Sequence, residues 1–170
     1  MSWQHLAAGA PDLARAGRER FETSGVALLG TIRPDGTPRI SPVEPYFLAG
    51  QLAFGVMGSP KWDDLKRDPR CVLHSTVRDS SGAEAEFKVY GRAARSDDPA
   101  LVWAESAWWT SRPRESFEVF TIEVKEAVLV AWDPDFGRMR TRRWRADRGS
   151  DEAERHYPSG AAASGSAGVT

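Results

Sequence analysis

The sequence has little that would assign it to a secreted, membrane or nucleic-acid-binding class. Its 170 residues include one cysteine, Cys71, which excludes an internal disulfide and favours a reducing compartment. The 23 basic and 24 acidic side chains leave a net charge of −1, which gives no bulk attraction to nucleic acid or anionic lipid. No run approaches the roughly 18 apolar residues of a membrane span, and the N-terminus lacks the apolar centre of a signal peptide. We therefore expect a cytoplasmic protein with neither nucleic acid nor membrane as partner.

Several familiar catalytic and binding motifs are also absent. The chain has no Walker loop, no G-x-G-x-x-G, no G-x-S-x-G elbow and no H-E-x-x-H. Cys71 and His74 have the spacing C-x-x-H, but three residues apart on a strand they point to opposite faces, and there is no second pair. A packed thiol and a half-buried imidazole are the simpler interpretation. The sequence predicts no metal site, and it offers no nucleophile–base pair from which to assign catalytic residues.

The chain does contain a series of short extended runs separated by turn residues. They span residues 25–32, 37–48, 51–57, 71–78, 85–95, 117–132 and 138–145. Apolar residues at helical spacing predict a leading helix over residues 1–24, and Asp97-Asp98-Pro99 opens a second helix later in the chain. Six or seven antiparallel strands with turn-sized gaps predict a mainly β protein, a small barrel with an N-terminal helix and a late helical insertion.

The length favours one domain with three segments. We expect an N-terminal helical segment over residues 1–24 and the barrel over residues 25–148. Residues 149–170 are predicted to be a flexible tail, because the sequence ends in a stretch that is almost entirely Gly, Ala and Ser.

The junction GSPK, residues 58–61, lies between an apolar run and a short charged helix predicted at roughly residues 61–67. Gly58 permits close approach of the backbone to a ligand. Ser59, Lys61 and the free amides at the start of the helix suit an anion such as a phosphate. An ordinary surface turn has the same composition, so the local sequence leaves both interpretations open.

A second candidate lies in the run AEFKVYGRA. There Glu86, Lys88 and Tyr90 share one face of a strand, while Phe87 and Val89 take the other. A cross-strand ion pair on a solvated face is one explanation of the two charged residues. Contact with the polar edge of a ligand is the other.

Taken in order, these segments resemble the pyridoxamine 5′-phosphate oxidase-like family, the flavin-binding split β-barrels. The pattern starts with a strand, a turn and a second strand, here GVALLGTIRPDGTPRISPVEPYF. A third strand then leads into Ser-x-Lys and a helix, here FGVMGSPKWDDLKRDPRCVLHSTV. A further strand ends at a glycine, in EFKVYGRA, and a basic strand with a tryptophan, RRWR, follows. The resemblance covers roughly Arg20 to Arg145.

The resemblance implies a homodimer that binds FMN, or the deazaflavin F420, in a groove between the subunits. Ser59 and Lys61 fall on the phosphate-binding Ser-x-Lys positions, and residues 41–43 fall on the strand beside the isoalloxazine ring. Glu86 and Lys88 match positions that reach the cofactor from the partner subunit. The complete set of cofactor-binding residues that the resemblance implies is Ser41, Pro42, Val43, Met57, Gly58, Ser59, Lys61, Glu86 and Lys88.

The chain departs from the vitamin B6 oxidases of that family. Ser41 and Tyr46 stand where those enzymes carry arginine and lysine, and Pro60 stands where their phosphate loop has a second cation. We therefore do not expect oxidation of pyridoxamine phosphate. The resemblance implies instead an FMN-dependent oxidoreductase with an unidentified small organic substrate. Two alternatives stay open: an F420-dependent reductase, and a non-catalytic protein that carries flavin or haem.

Overall fold

A nine-stranded antiparallel sheet with four helices around it forms the described part of the protein. The computed structural model describes residues 1–78, 84–108, 117–133 and 137–157. The helices are α1 (Trp3–Gly9), α2 (Pro11–Ser24), α3 (Pro60–Arg67) and α4 (Pro99–Trp108). The strands are β1 (Ala27–Ile32), β2 (Pro38–Val43), β3 (Pro45–Leu48), β4 (Gln51–Met57), β5 (Arg70–Ser75), β6 (Glu86–Ser96), β7 (Phe117–Asp133), β8 (Arg138–Arg145) and β9 (Gly149–His156). None of these helices is long and apolar enough to span a bilayer.

The sheet is organised around its longest strand, β7. The strands follow the order β2-β1-β5-β6-β7-β4-β3, and β8 and β9 continue from β7 on a second path. β7 has 17 residues and pairs with β6 along most of its length, with β4 near its beginning and with β8 near its end. A long twisted strand shared by two paths lets one sheet fold over a common core. The prediction of a mainly β, antiparallel split barrel with peripheral helices is confirmed.

The inner face of the sheet forms the hydrophobic core. On β6 the side chains of Phe87 and Val89 are fully buried, whereas Glu86 and Lys88 alternate with them and point outward. The helix α2 covers the inner face, where the ring of Phe21 meets that of Phe87 edge to face at 5.6 Å. The alternation leaves the opposite face of β6 available for polar or ligand contacts.

The predicted leading helix over residues 1–24 is two helices. The break lies at Ala10, whose backbone has φ −152° and ψ 69°. Pro11 explains it, because the proline ring clashes with a preceding helical turn and disfavours helical conformation in the residue before it. At the first position of α2 the same proline is favourable, since that position needs no N–H partner.

The predicted extended run over residues 37–48 divides into two strands at Glu44. β2 pairs with β1, whereas β3 pairs with β4 at the other end of the strand order. Among the described strands, β2 and β3 each have one neighbour and so one open edge. An edge tolerates the prolines of this run, because a missing N–H costs no ladder hydrogen bond there.

The segment predicted to be a flexible tail begins with a strand. β9 pairs with β8 and is exposed along its whole length. Opposite charges face each other across the pair: Arg140 Nε lies 3.1 Å from Glu152, and Arg145 Nη1 lies 3.3 Å from Asp151. The prediction failed because this strand has no apolar alternation, and the Gly, Ala and Ser-rich composition applies only further on, outside the described residues. This strand and the division at Glu44 raise the number of strands from the six or seven predicted to nine.

Candidate functional site

The outward face of the sheet brings together residues that are far apart in the sequence, among them the predicted Pro42 and Lys88. Pro42 of β2 pairs with Leu28 of β1, Leu28 pairs with His74 of β5, and His74 pairs with Lys88 of β6. We call these four residues the cross-strand row. Paired residues point to the same face, and neighbouring strands lie about 4.8 Å apart, so the row extends about 14 Å across the sheet.

One end of the cross-strand row meets the GSPK junction. Lys61 Nζ donates a hydrogen bond to the carbonyl oxygen of Pro42, 3.1 Å away. Burial lowers the pKa of Lys61, and the negative charge of Glu44 opposes that effect only in part. No carboxylate within the described ranges forms an ion pair with this ammonium. Because an ammonium carries three donors, Lys61 has donors left for an anion.

The serine of the junction is less available than the sequence suggests. Ser59 Oγ donates to the carbonyl oxygen of Met57 at 2.9 Å and does not cap α3. The helix α3 begins one residue earlier than predicted, and the N–H groups of Trp62 and Asp63 both bond to the Ser59 carbonyl, at 2.9 and 3.2 Å. An anion here would gain the lysine ammonium and the positive end of α3. The Ser59 hydroxyl would have to rotate away from Met57 to donate to it.

A buried carboxylate fixes α3 against the sheet. Asp64 is 1% exposed. Its Oδ2 accepts hydrogen bonds from Thr31 Oγ1 at 2.9 Å and from Arg39 Nε at 2.7 Å, and Arg67 Nη1 lies 3.5 Å from Oδ1. Burial acts to raise the pKa of Asp64, but the hydrogen bonds from Arg39 and Thr31 outweigh it, so the pKa lies below its ordinary value. Asp64 thereby connects α3 to β1 and β2 and holds Lys61 at the end of the row.

Two arginines near the junction are already paired with carboxylates. Arg39 is bound to Asp64, and Arg70 contacts the Asp68 carboxylate at distances of 2.6 to 3.1 Å. Each guanidinium charge is therefore already balanced by a carboxylate, through Nε alone at Arg39 and in a largely exposed pair at Arg70. The cations that the resemblance implies are missing at Ser41, Tyr46 and Pro60 are therefore not replaced by an arginine without a carboxylate partner at position 39 or 70.

The residues predicted to face the ring divide between the two sides of β2, because side chains alternate along a strand. Pro42 is exposed in the cross-strand row, whereas Val43 is 1% exposed and packs in the core. Ser41 is half-buried and pairs with the buried Leu29. For a ligand on the outer face, only the backbone of Val43 is available. Met57, the last residue of β4, and Gly58, the first residue of the junction, are both exposed.

Three residues of the cross-strand row, Leu28, His74 and Lys88, help to line an apolar depression of about 360 Å³, which we call the outer pocket. Its apolar lining consists of Leu28, Gly30, Ile40, Val72 and Tyr90, and His74 with Lys88 completes it at one corner. A Cβ added to Gly30 would lie 2.7 Å from Cγ1 of Val72, so the absence of a side chain at Gly30 keeps the floor open. Ile40 is 70% exposed and Tyr90 42% exposed. Large apolar side chains that are exposed side by side are typical of a surface that binds a ligand or another protein.

The charged residues of this face form a cluster. Lys88 Nζ donates to Glu86 Oε1 at 2.5 Å, and His74 Nε2 lies 3.2 Å from Glu86 Oε2. The ion pair between Glu86 and Lys88 that the sequence suggests is present. It joins two residues of the same strand, β6, and the contact across strands is made by His74 of β5. Burial acts to raise the pKa of Glu86, while Lys88 and His74 lower it to below its ordinary value. His74 is not among the site residues predicted from the sequence. Its contact with Glu86 depends on how β5 and β6 are aligned, which no local motif reveals.

Cys71 lies on the other face of β5, as the C-x-x-H spacing on a strand predicts. It is buried, and burial raises the pKa of its thiol to about 12. In the described ranges, no group of three or more His, Cys, Asp and Glu side chains is placed to hold a metal ion.

Comparisons with known proteins agree with this architecture. The family model for pyridoxamine 5′-phosphate oxidase matches residues 13–131. No curated protein matches the chain. Among solved structures, a pyridoxamine 5′-phosphate oxidase-related, FMN binding protein from Nostoc punctiforme is similar, with a TM-score of 0.63 and 16% identity over 91% of this chain and 100% of that one.

Two further solved structures share the fold. One is a protein from Clostridium acetobutylicum, related to general stress protein 26 of B. subtilis and of the pyridoxinephosphate oxidase family, with a TM-score of 0.59 and 15% identity over 81% of this chain and 96% of that one. The other is a heme binding protein from Mycobacterium smegmatis, with a TM-score of 0.52 and 15% identity over 85% of this chain and 88% of that one. At such identities the similarity shows the fold alone.

Proposed function

Because this chain belongs to the pyridoxamine 5′-phosphate oxidase family, we propose that it binds FMN and acts as a flavin-dependent oxidoreductase on a small organic substrate. The observation that carries the proposal is the half-buried ammonium of Lys61, which lies at one end of a row leading to the apolar outer pocket. A cationic corner suits a phosphate, and a flat apolar surface suits a ring system. The FMN binding relative from Nostoc punctiforme supports the choice of cofactor.

The donors at the junction fit one phosphate with modest affinity. Lys61 brings one positive charge, and the N-terminal end of α3 adds a partial one. The carboxylates of Glu44 and Asp63 lie nearby and reduce the local positive potential. We expect a dissociation constant in the micromolar range, about −8 kcal/mol of binding free energy, rather than a nanomolar one.

The bound flavin would supply hydride or electron transfer, and the protein would supply binding and orientation. Lys61 would neutralise charge on the phosphate. Leu28 and Ile40 would exclude water from one face of the ring, since both side chains stand exposed on the outer face. We assign no catalytic acid or base. Oxidation of pyridoxamine phosphate is not proposed, because a second phosphate would need cations that Arg39 and Arg70 have already committed to carboxylates.

Two other cofactor assignments make different predictions. F420 has a longer acidic tail that would need a more basic groove, and the pairing of Arg39 and Arg70 disfavours it. A non-catalytic carrier of flavin or haem is supported by the heme binding relative from Mycobacterium smegmatis. Turnover of an electron acceptor by the reduced protein at rates above free flavin would exclude the carrier.

We further propose that a second copy of the chain covers the outer face. Leu28, Ile40 and Tyr90 are 38%, 70% and 42% exposed on that face. Large apolar side chains on one surface are typical of a dimer interface, and a homodimer is what the family resemblance implies. In such a dimer, Glu86 and Lys88 of the partner subunit would reach the cofactor held at Lys61.

The dimer proposal predicts that Ile40→Asp yields a monomer. Ile40 is mostly exposed in the single chain, so the change leaves the folded monomer intact, but a carboxylate buried at an interface is costly. We expect the dimer dissociation constant to rise at least about 100-fold, measured by light scattering after size-exclusion chromatography. Val102→Asp, at a 37% exposed position of α4, is the matched control and should stay dimeric. An Ile40→Asp protein that remains dimeric at the same concentrations contradicts this interface.

The cofactor proposal is tested by titrating the purified protein into FMN, F420 and haem separately. We expect saturable quenching of FMN fluorescence with a micromolar dissociation constant and weaker binding of F420. Preferential binding of haem, with its own absorption band, would support the carrier instead. No saturable binding of FMN at concentrations up to about a millimolar would contradict the proposed function.

A further inference from the structure

A separate cavity of about 320 Å³ lies between the start of α2 and the hairpin of β8 and β9, and we call it the corner pocket. Residues 10–13 line one side of it, and residues 142–143 and 150–152 line the other. It shares no residue with the outer pocket or with the GSPK junction. Its volume is at the lower end of the range for small-molecule sites, so it suits a small ligand.

The guanidinium of Arg142 lines the corner pocket without a protein partner. Arg142 is half-buried and forms no ion pair or hydrogen bond with any residue that the structure describes. Glu152 is its neighbour across the hairpin, but the carboxylate of Glu152 lies 3.1 Å from Arg140 Nε. The five N–H donors of Arg142 are therefore available to a ligand.

The carboxylates that line the corner pocket are each paired with an arginine other than Arg142. Arg15 Nη2 donates to Asp12 Oδ1 at 2.8 Å, and this hydrogen bond is the main reason why the pKa of Asp12 lies below its ordinary value, with Arg142 contributing least. Asp151 Oδ1 lies 3.3 Å from Arg145 Nη1. With the Glu152 pair described above, the charge of Arg142 is thus additional to a set of balanced ion pairs.

The first turn of α2 adds further donors to the same pocket. Its backbone N–H groups have no partner within the helix, and Ala10, the residue at the N-cap, has no side chain that could accept from them. The N–H groups of Asp12 and Leu13 have no acceptor in the described ranges. The positive end of the α2 dipole therefore reinforces the charge of Arg142.

A buried indole at this corner also has an unused donor. Trp144 lies two residues from Arg142, on the same face of β8, and is 5% exposed. Its N–H has no acceptor among the described residues. Nε1 is the ring atom nearest to a Cβ built on Gly9, at 2.7 Å, so the N–H edge of the ring faces the chain where α1 gives way to α2. Three kinds of donor without acceptors thus meet at one corner.

From these donors we propose that the corner pocket binds a small carboxylic acid with an apolar body, in its ionised form. The carboxylate accepts paired hydrogen bonds from the guanidinium of Arg142 at the positive end of α2, because the planar fork of arginine matches the two oxygens. The apolar body lies against Ala10 and Pro11. This site is distinct from the proposed flavin site and does not depend on it.

The proposal is tested by titrating the unmodified protein with benzoate and, separately, with benzamide, its neutral analogue of the same shape. The indole N–H resonance of Trp144, identified in NMR spectra by its loss in Trp144→Phe, reports on the corner. We expect this resonance to shift with benzoate, with a dissociation constant of about a millimolar. Benzamide should bind at least about tenfold more weakly, because it lacks the charge that the guanidinium recognises.

Substitutions locate the site. We expect Arg142→Met to weaken benzoate binding at least about tenfold, and Arg142→Lys, which keeps the charge without the fork, to fall between it and the unmodified protein. Arg155→Met is the matched control, since it removes the same charge from an exposed position of β9 and should change the affinity less than about twofold. Circular dichroism establishes that each variant is folded.

Three results would overturn the proposal. The first is the absence of a saturable shift of the Trp144 resonance with benzoate. The second is equal affinity for benzoate and benzamide, which is measured on the unmodified protein and so does not depend on the folding of any variant. The third is benzoate binding that survives Arg142→Met but is lost in Lys61→Met, which would place benzoate at the proposed flavin site.

Discussion

Replacement of Lys61 by methionine is expected to weaken FMN binding by about 10- to 100-fold without destabilising the apo protein. The ammonium is bonded to the Pro42 carbonyl at 3.1 Å, and burial lowers its pKa. A lowered lysine pKa means that the folded apo protein disfavours the charged form, so loss of the charge costs no folding stability at neutral pH. A bound phosphate supplies the missing countercharge. Fluorescence titration gives the affinity, and urea unfolding of the apo protein gives the stability.

Lys66→Met on the same helix is the control for this experiment. It removes the same charge, but the Lys66 ammonium lies over the ring of Trp62, 4.4 Å from its centroid, and away from Pro42. We expect its effect on FMN affinity to stay below about threefold, the range of a screened surface charge. Equal losses of FMN affinity in both variants would mean that the two lysines act only by adding positive charge near α3, without a specific contact to the phosphate. An unchanged affinity of Lys61→Met for FMN would show that the phosphate does not bind at Lys61.

Replacement of Asp64 by asparagine is expected to lower the free energy of unfolding by about 2–3 kcal/mol. The carboxylate is buried and accepts charged hydrogen bonds from Arg39 and a neutral one from Thr31. Arg39 and Arg67 keep 23% and 40% of their side-chain surface exposed. Because water can hydrate them in the variant, we expect a smaller decrease in the free energy of unfolding than for a fully buried ion pair. Urea unfolding at neutral pH measures the difference. Asp63→Asn, in the first turn of the same helix and exposed, should change stability by less than about 0.5 kcal/mol.

The effect of Asp64 should also depend on pH in a defined direction. Its folded pKa lies below the ordinary value of 3.8, so the carboxylate stabilises the fold fully above that value and loses this contribution as the pH falls through the folded pKa. The stability difference between wild type and Asp64→Asn should therefore be constant between about pH 5 and 7 and should narrow below about pH 4. A difference that is the same at about pH 3 as at pH 7 would show that asparagine disturbs packing rather than removing a charge.

Much of the sheet can be predicted from the sequence because burial imposes a period of two. The alternation around Phe87 and Val89 identifies β6 and its two faces, and the long apolar run identifies β7. The same rule fails for β9, whose side chains are all exposed and which pairs with β8 through opposite charges. It also misses the break at Ala10, where a proline changes the helix without changing the apolar pattern.

The candidate site is predictable only where its residues are neighbours in sequence. The GSPK junction places Ser59 and Lys61 two positions apart, so the local sequence alone is enough to suggest a phosphate corner. The ion pair between Arg39 and Asp64 joins residues 25 positions apart, and it decides that Arg39 is not free for a ligand. The contact between His74 and Glu86 likewise depends on the register of β5 with β6. Such partners follow from pairing and are not encoded in any local motif.

A crystal structure of the protein with FMN tests the central claim most directly. We predict that the phosphate lies within hydrogen-bonding distance of Lys61 Nζ at the start of α3, and that the ring lies against the outer face near Leu28. Density for the phosphate at another part of the surface, with Lys61 still bonded only to the Pro42 carbonyl, would contradict the account.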